Sequence, residues 1–239
     1  MKLSDIIIYE DEGIVALNKP SGLLSIPDRE GKETSLKNLL QERYEQIFTI
    51  HRLDRETSGL ILFAKDEAAH RHLSLQFEER NTEKIYLGLV LGQPVPASGT
   101  MDQPIAENMV NRGTMIIHRR GKPAVTDYET LETYGKYSWM QFRIHTGRTH
   151  QIRVHMKNLG HPIVCDVLYG DGNPLLLSSI KTRFKLSKQE IEERPLLNRL
   201  ALHAHRLGFE TAAGKHMELE APLQKDLRAT LQQLAKWKG

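Results

Sequence analysis

The sequence predicts an α+β fold: a single domain, 1–239, with a mixed, largely antiparallel β-sheet flanked by helices. Strand-like runs outnumber helix-like ones, and they do not follow a regular β-α-β alternation, which argues against a doubly wound parallel sheet. No internal repeat, low-complexity tract or linker separates two domains. At 239 residues the chain is long enough to bury a substantial core.

In order, Ile6-Ile7-Ile8-Tyr9 and Ile14-Val15-Ala16-Leu17 read as two short strands joined by an acidic turn, Glu10 to Gly13. Asn18-Lys19-Pro20-Ser21-Gly22 reads as a tight turn, because Pro sets φ at one position and Gly frees it two residues on. Residues 34 to 46 are expected to be helical. Thr34 or Ser35 is the cap, and Leu36, Leu39 and Leu40 share a face. A polar stretch, 50 to 60, feeds a buried strand over 60–64. Asp66 caps a second helix to about Arg80, with Ala69, Leu73 and Phe77 on its apolar side. Glu83 to Leu91 alternates as a strand.

Pro94, Pro96 and Gly99 punctuate the chain, and 100–123 holds Arg112, Arg119, Arg120 and Lys122 without a clear period. Strands follow at about 124–133 and 137–145, broken by Gly135. Gly147-Arg148-Thr149 opens a helix through Asn158, with Thr149 as its cap and Gly160 and Pro162 ending it. Residues 171 to 198 read as a surface excursion with one helix, basic over Lys181 to Lys188 and acidic at Glu190, Glu192 and Glu193. Leu200 to Phe209 and Met217 to Ala221 are strands, and an amphipathic helix covers about 223–237.

Hydrophobic residues make up 39% and charged residues 26%, which suits a soluble globular protein. The net charge of +3 is compatible with nucleic acid without demonstrating it. One cysteine, Cys165, permits neither a disulfide within the chain nor a thiolate cage, and it reads as a small buried apolar residue. The N-terminal residues lack the apolar core of a signal peptide, and no run approaches the roughly 18 apolar residues of a membrane span. A cytosolic location is expected. His150 and His155 stand five apart, which separates them around a helix, and no H-E-x-x-H is present, so no metal site is expected. Neither a phosphate-binding G-x-x-x-x-G-K-[ST] loop nor a G-x-G-x-x-G fingerprint occurs, so no nucleotide cofactor is expected.

The polar stretch carries the chemistry. In His51-Arg52-Leu53-Asp54-Arg55-Glu56-Thr57-Ser58-Gly59-Leu60 a carboxylate is flanked by two guanidiniums on a loop that runs into a core strand. Neighbours along an extended chain point to opposite faces, so a distant cation is the better partner for Asp54. In isolation such an Asp would read as a plain loop salt bridge. The stretch resembles the catalytic motif of the RluA-type pseudouridine synthases, H-R-L-D-x-x-T-S-G. Asn18-Lys19-Pro20-Ser21-Gly22-Leu23-Leu24 resembles the first motif of that family, Lys84-Ile85-Tyr86 its K-x-Y, and Gly147-Arg148-Thr149-His150-Gln151-Ile152-Arg153-Val154-His155 its third motif. Gly121 to Glu129 and Leu202-His203-Ala204 resemble further segments, so the resemblance spans nearly the whole chain.

The resemblance implies a pseudouridine synthase fold and an isomerase that converts uridine to pseudouridine in structured RNA, ribosomal (23S) and/or transfer RNA. It implies a catalytic set of Asp54, Tyr86 and Arg153. Asp54 is the catalytic carboxylate, Arg153 is its ion-pair partner, and Tyr86 stands against the target base. By residue type alone Tyr86 would be a packing residue, and Arg153 a solvated helix residue except that Ile152 and Val154 bracket it. Arg52, Arg55, Arg148 and His150 are RNA-binding candidates, Arg148 because a helix start offers N–H groups to a phosphate. No cofactor is implied, since nothing is oxidised and no group leaves for good. No N-terminal S4-like domain is expected, and a monomer is expected. The alternatives are a catalytically inactive RNA-binding ribosome-assembly factor of the same fold and an Asp-dependent nucleosidase that releases free uracil.

Overall fold

The structure, a computed structural model, describes residues 2–28, 30–181, 183–186 and 192–237. The α+β class is as expected, with strands dominant and mostly antiparallel. The chain forms two compact units, each drawn from three separate segments. Unit 1 comprises Met1–Tyr86, Arg143–His145 and His203–Pro222; unit 2 comprises Leu87–Phe142, Thr146–Leu202 and Leu223–Gly239.

In unit 1, β1 (Ile7–Glu10) pairs antiparallel with β2 (Ile14–Lys19), and β2 with β4 (Ser58–Ala64). The two-residue β3 (Phe48–Thr49) also lies on β4. On the other side β4 runs parallel to β11 (Leu202–Glu210), which carries β12 (His216–Glu220). The first half of β5 (Glu83–Leu91) lies beside β11. Both faces of this sheet are buried, and the period of two shows it. Val15, Leu17, Ile61 and Phe63 face one cluster with Leu36, Leu40 and Leu53. Ile14, Ala16, Leu60 and Leu62 face the other with Leu73, Leu207 and Phe209.

Helix α1 (Leu36–Gln41) starts where expected: Ser35 Oγ accepts from Asn38 N, and Asn38 Oδ1 accepts from Ser35 N. It ends at Gln41 rather than near 46, because the chain turns at Glu42 and Arg43 and must reach β3 by Phe48. Helix α2 (Glu67–Glu79) is capped by Asp66 and stops at Arg80, which takes the left-handed conformation with φ 64°.

In unit 2, the second half of β5, β10 (Tyr137–Ile144), β9 (Val125–Tyr134) and β6 (Ser98–Asp102) follow one another in that order. The stretch with no clear sequence period holds β6 and a hairpin, β7 (Ile105–Glu107) and β8 (Met115–Ile117). Helix α3 (Gln151–Asn158) is buried from Gln151 to Met156. Thr149 is not its cap: the residue before the helix is His150, left-handed at φ 56° with no side-chain capping bond. Helix α4 (Lys225–Lys236) is held at its start by a bidentate Arg199–Asp226 pair, both bonds 2.6 Å. Between 171 and 198 the described residues form one 3-10 turn, Leu177–Ser179, and no α-helix. Part of the expected basic and acidic runs (182, 187–191) lies outside the described residues.

Candidate active site

Leu53 explains the odd composition of the 52–56 loop. It is 5% exposed and packs with Leu36, Leu40 and Phe63, so an apolar anchor holds a polar loop from below. Burying one leucine is worth roughly 1.5–3 kcal/mol. Arg52 on its N-terminal side is exposed.

The backbone of that loop is held at every carbonyl from Leu53 to Glu56. Ser25 Oγ donates to Leu53 O at 2.8 Å and accepts from Leu53 N at 3.1 Å. Thr57 N donates to Asp54 O at 3.1 Å, closing a turn over Asp54. Lys19 Nζ and Gly22 N both donate to Arg55 O at 2.9 Å. Ser21 Oγ donates to Glu56 O at 2.7 Å. The Asn18–Gly22 turn is therefore a splint for the loop that carries Asp54.

Lys19 is the main element that sequence reasoning missed. Its side chain is fully buried, and Nζ also donates to Pro20 O at 3.0 Å and Leu23 O at 2.8 Å. An ammonium has three protons, so three carbonyls satisfy it. A lysine ending an apolar strand was the available signal.

After the loop the chain enters β4 through Ser58 and Gly59, earlier than the sequence suggested. Ser58 Oγ meets His203 Nδ1 at 3.0 Å, and His203 Nε2 meets Ala221 O at 3.2 Å. A carbonyl can only accept, so Nε2 is the donor to Ala221. Gly59 has φ 114°, and a Cβ there would lie 2.1 Å from Ala204 O. Only glycine fits. His203 and Ala204 thus close β4 just beyond the Asp54 loop.

His51 is structural as well. Its Nε2 accepts from Leu62 N at 3.1 Å, and its ring stacks on Phe77 at 4.6 Å. Burial first, then the Lys84 ammonium, push it down to about 3, so it is neutral. Tyr86 is half-buried and packs on the cluster that holds Leu53. Burial, and then the charge of Asp54, push its phenol well above the ordinary tyrosine value. Asp54 and Tyr86 are thus near enough to interact electrostatically. Arg55 is engaged in the loop itself: it pairs with Glu33 at 2.8 Å, and its Nε donates to Gly22 O at 3.1 Å.

In unit 2 the third motif is organised by Gln151. Its Oε1 accepts from Thr146 Oγ1 at 2.7 Å and Arg148 N at 3.0 Å; its Nε2 donates to Val125 O and Thr126 Oγ1, both at 2.9 Å. That replaces a conventional cap at the start of α3. Thr126 Oγ1 then meets His155 Nδ1 at 3.0 Å, and His155 Nε2 meets Gln103 O at 3.0 Å. Arg148 Nε donates to Pro123 O at 3.0 Å. His150 Nδ1 meets Tyr169 Oη at 2.7 Å.

Arg153 is 3% exposed. Within unit 2 it forms a bidentate pair with Asp166, Nε to Oδ2 and Nη2 to Oδ1, both 2.7 Å. Asp166 is a second residue that sequence reasoning missed. The signal was a lone carboxylate after the buried run Ile163-Val164-Cys165. Cys165 is itself buried, and burial pushes its thiol up to about 11, so it is no nucleophile.

In unit 1 a carboxylate stands on a splinted loop within electrostatic reach of a tyrosine. In unit 2 a guanidinium is fixed on a buried helix. Comparison with known proteins identifies the family. Residues 13–158 match the family model described as RNA pseudouridylate synthase. An uncharacterized RNA pseudouridine synthase of Chloroflexus aurantiacus is 38% identical over 91% of this chain, which spans 65% of that relative's length. The dual-specificity RNA pseudouridine synthase RluA of Escherichia coli is also 38% identical, over 91% of this chain and 92% of its own length. Among solved structures, human RNA pseudouridylate synthase domain containing 4 superposes with a TM-score of 0.75 at 26% identity, covering 98% of this chain and 94% of that one. The motifs, the fold and these relatives agree on one conclusion: the chain belongs to the RNA pseudouridylate synthase family.

Proposed function

We propose that this protein isomerises specific uridines of structured RNA, ribosomal and/or transfer RNA, with Asp54 as the catalytic carboxylate. The observation that carries this reading is the Asp54 loop, whose four successive carbonyls are all held by hydrogen bonds. So much restraint on a partly exposed polar loop suits a preorganised reacting group.

In the reaction the N1–C1′ bond breaks, the uracil turns, and C1′ rejoins at C5. N1 gains a proton and C5 loses one, so the product is an isomer. The target base must leave its stack first, which costs a few kcal/mol. Asp54 then serves by attack at C1′, as a glycosidase nucleophile does, leaving again as C5 bonds to C1′, or by taking the 2′ proton to give a glycal and returning it to C2′ as C5 bonds to C1′. Arg153 is assigned as the counter-charge of the Asp54 carboxylate, a planar guanidinium being suited to a buried carboxylate. Tyr86 stacks on the uracil and relays the C5 proton. Its raised phenol disfavours a free phenolate, so the hydroxyl passes its own proton to Asp54 as it takes the one from C5.

Arg52 is exposed on the same loop and is assigned to the RNA near the flipped base. Arg55, Arg148 and His150 are already engaged by protein groups. Their part in RNA binding is therefore through the shape of the loops they hold. The Escherichia coli relative is described as dual-specificity, and we extend action on more than one RNA class to this chain, as a cytosolic monomer.

Pseudouridine mapping of total RNA from cells lacking the gene, rescued with wild type or Asp54→Asn, tests the assignment. Sites that only wild type restores are the expected result and name the substrate. Restoration by Asp54→Asn would overturn it.

A further inference from the structure

We infer that Asp166 is a positioning residue for this reaction: it aims the Arg153 guanidinium. The inference rests on the role proposed for Arg153 above. Both side chains are buried, 3% and 0% exposed. A buried ion pair loses so much hydration that it is a poor source of stability compared with apolar packing. Its use lies in orientation. A guanidinium is planar, so two 2.7 Å bonds on the Nε/Nη2 edge fix the plane and the direction of Nη1.

The carboxylate is itself held. Asp166 Oδ1 also accepts from Leu168 N at 2.9 Å and Tyr169 N at 3.1 Å. The turn around it is tight: Cys165 takes φ 60°, and Gly170 N donates to Asp166 O at 2.9 Å. A Cβ on Gly170 would sit 3.0 Å from that same carbonyl. Tyr169 then covers the guanidinium, with its ring centroid 5.0 Å from Cζ of Arg153. Its Oη accepts from Met115 N at 2.7 Å, at the start of β8, and meets His150 Nδ1. Arg153 is thus gripped on one edge and one face by a single turn, Cys165–Gly170.

The test uses RNA from cells lacking the gene, labelled with tritium at uridine C5. That tritium is released when C1′ bonds to C5. Wild type, Asp166→Asn, Asp166→Glu, Arg153→Gln and the Arg153→Gln/Asp166→Asn double variant are compared by kcat, KM and thermal unfolding. We expect folded Asp166→Asn to lose about 100-fold or more in kcat with KM within about threefold. The double variant should be no worse than Arg153→Gln alone, since Asp166 acts through Arg153. If Asp166→Asn does not fold, Asp166→Glu decides: it keeps the charge but displaces the guanidinium, and about tenfold or more in kcat should be lost.

Near-wild-type kcat in a folded Asp166 variant overturns the inference. So do multiplicative losses in the double variant, or unfolding of both single Asp166 variants. Failure of the underlying reading looks different: Arg153→Gln itself would then be fully active.

Discussion

At the scale of residues, the site is built from groups whose polarity is satisfied by the backbone. Lys19, Ser25, Ser21, Gln151 and His203 each tie a motif to a neighbouring segment. None of these roles is visible in sequence, because each depends on a carbonyl or N–H brought in by the fold. The segments that carry Asp54 and Arg153 stand out in the sequence because their flanking pattern is long and polar; Asp166 does not, because one carboxylate carries no pattern. His51 yields a prediction of pH dependence. Its ordinary value of 6.5 is pushed down to about 3 in the folded protein. The unfolded chain therefore takes up a proton below about 6.5 that the folded protein refuses until about 3. Stability from this group is complete above about pH 6.5 and falls as pH falls toward 3. His51→Gln keeps an acceptor for Leu62 N and cannot be protonated. Thermal melts should show a smaller loss between about pH 6.5 and pH 4.5 for this variant than for wild type. Equal losses would mean that His51 is not the group refused its proton.

At the scale of elements, propensity and capping marked most starts and stops. Asp66 caps α2 at 2.8 Å to Ala69 N, as its position suggested, and Ser35 caps α1. The misses have local causes. In α3 the capping work is done by Gln151, a residue inside the helix, so the expected Thr149 cap was not needed. The β7–β8 hairpin has strands of three residues each, too short for a period to register. At the end of α2, Arg80 holds φ 64°, which a side chain disfavours and glycine does not. Its charge also pushes the Lys84 ammonium down, after burial. Arg80→Gly should therefore stabilise the protein by several tenths to about 1 kcal/mol in denaturant titrations, with activity unchanged. A loss of stability would show that packing by the Arg80 side chain outweighs its backbone strain.

At the scale of the whole molecule, the α+β class and the family were legible, but the two compact units were not. Three of their five boundaries along the chain fall inside strands: in β5 between Tyr86 and Leu87, in β10 between Phe142 and Arg143, and in β11 between Leu202 and His203. A cut within a strand leaves no linker to read. Net charge was equally uninformative: +3 spread over 239 residues hides the local grouping of Arg112, Arg119 and Arg120, all exposed around the β7–β8 hairpin. Replacing these three with serine should leave thermal stability unchanged and flatten the dependence of RNA affinity on salt. Each phosphate that is no longer neutralised lowers the slope of log K against log salt by about 0.7–0.9. An unchanged slope would place the hairpin outside the RNA footprint.

The parallel pairing of Ser58 and Gly59 with His203 and Ala204 has a consequence for biosynthesis. The parallel partner of β4 lies 145 residues later in the chain. At roughly 5–20 residues per second of translation, β4 leaves the ribosome about 7–30 s before β11 exists to cover it. A nascent chain halted near residue 200 carries Asp54, Tyr86 and Arg153 yet lacks the strand against which Gly59 is fitted. Competence for the reaction should thus arrive late and abruptly during synthesis. The apolar edge of β4 is what a chaperone would have to shield until then.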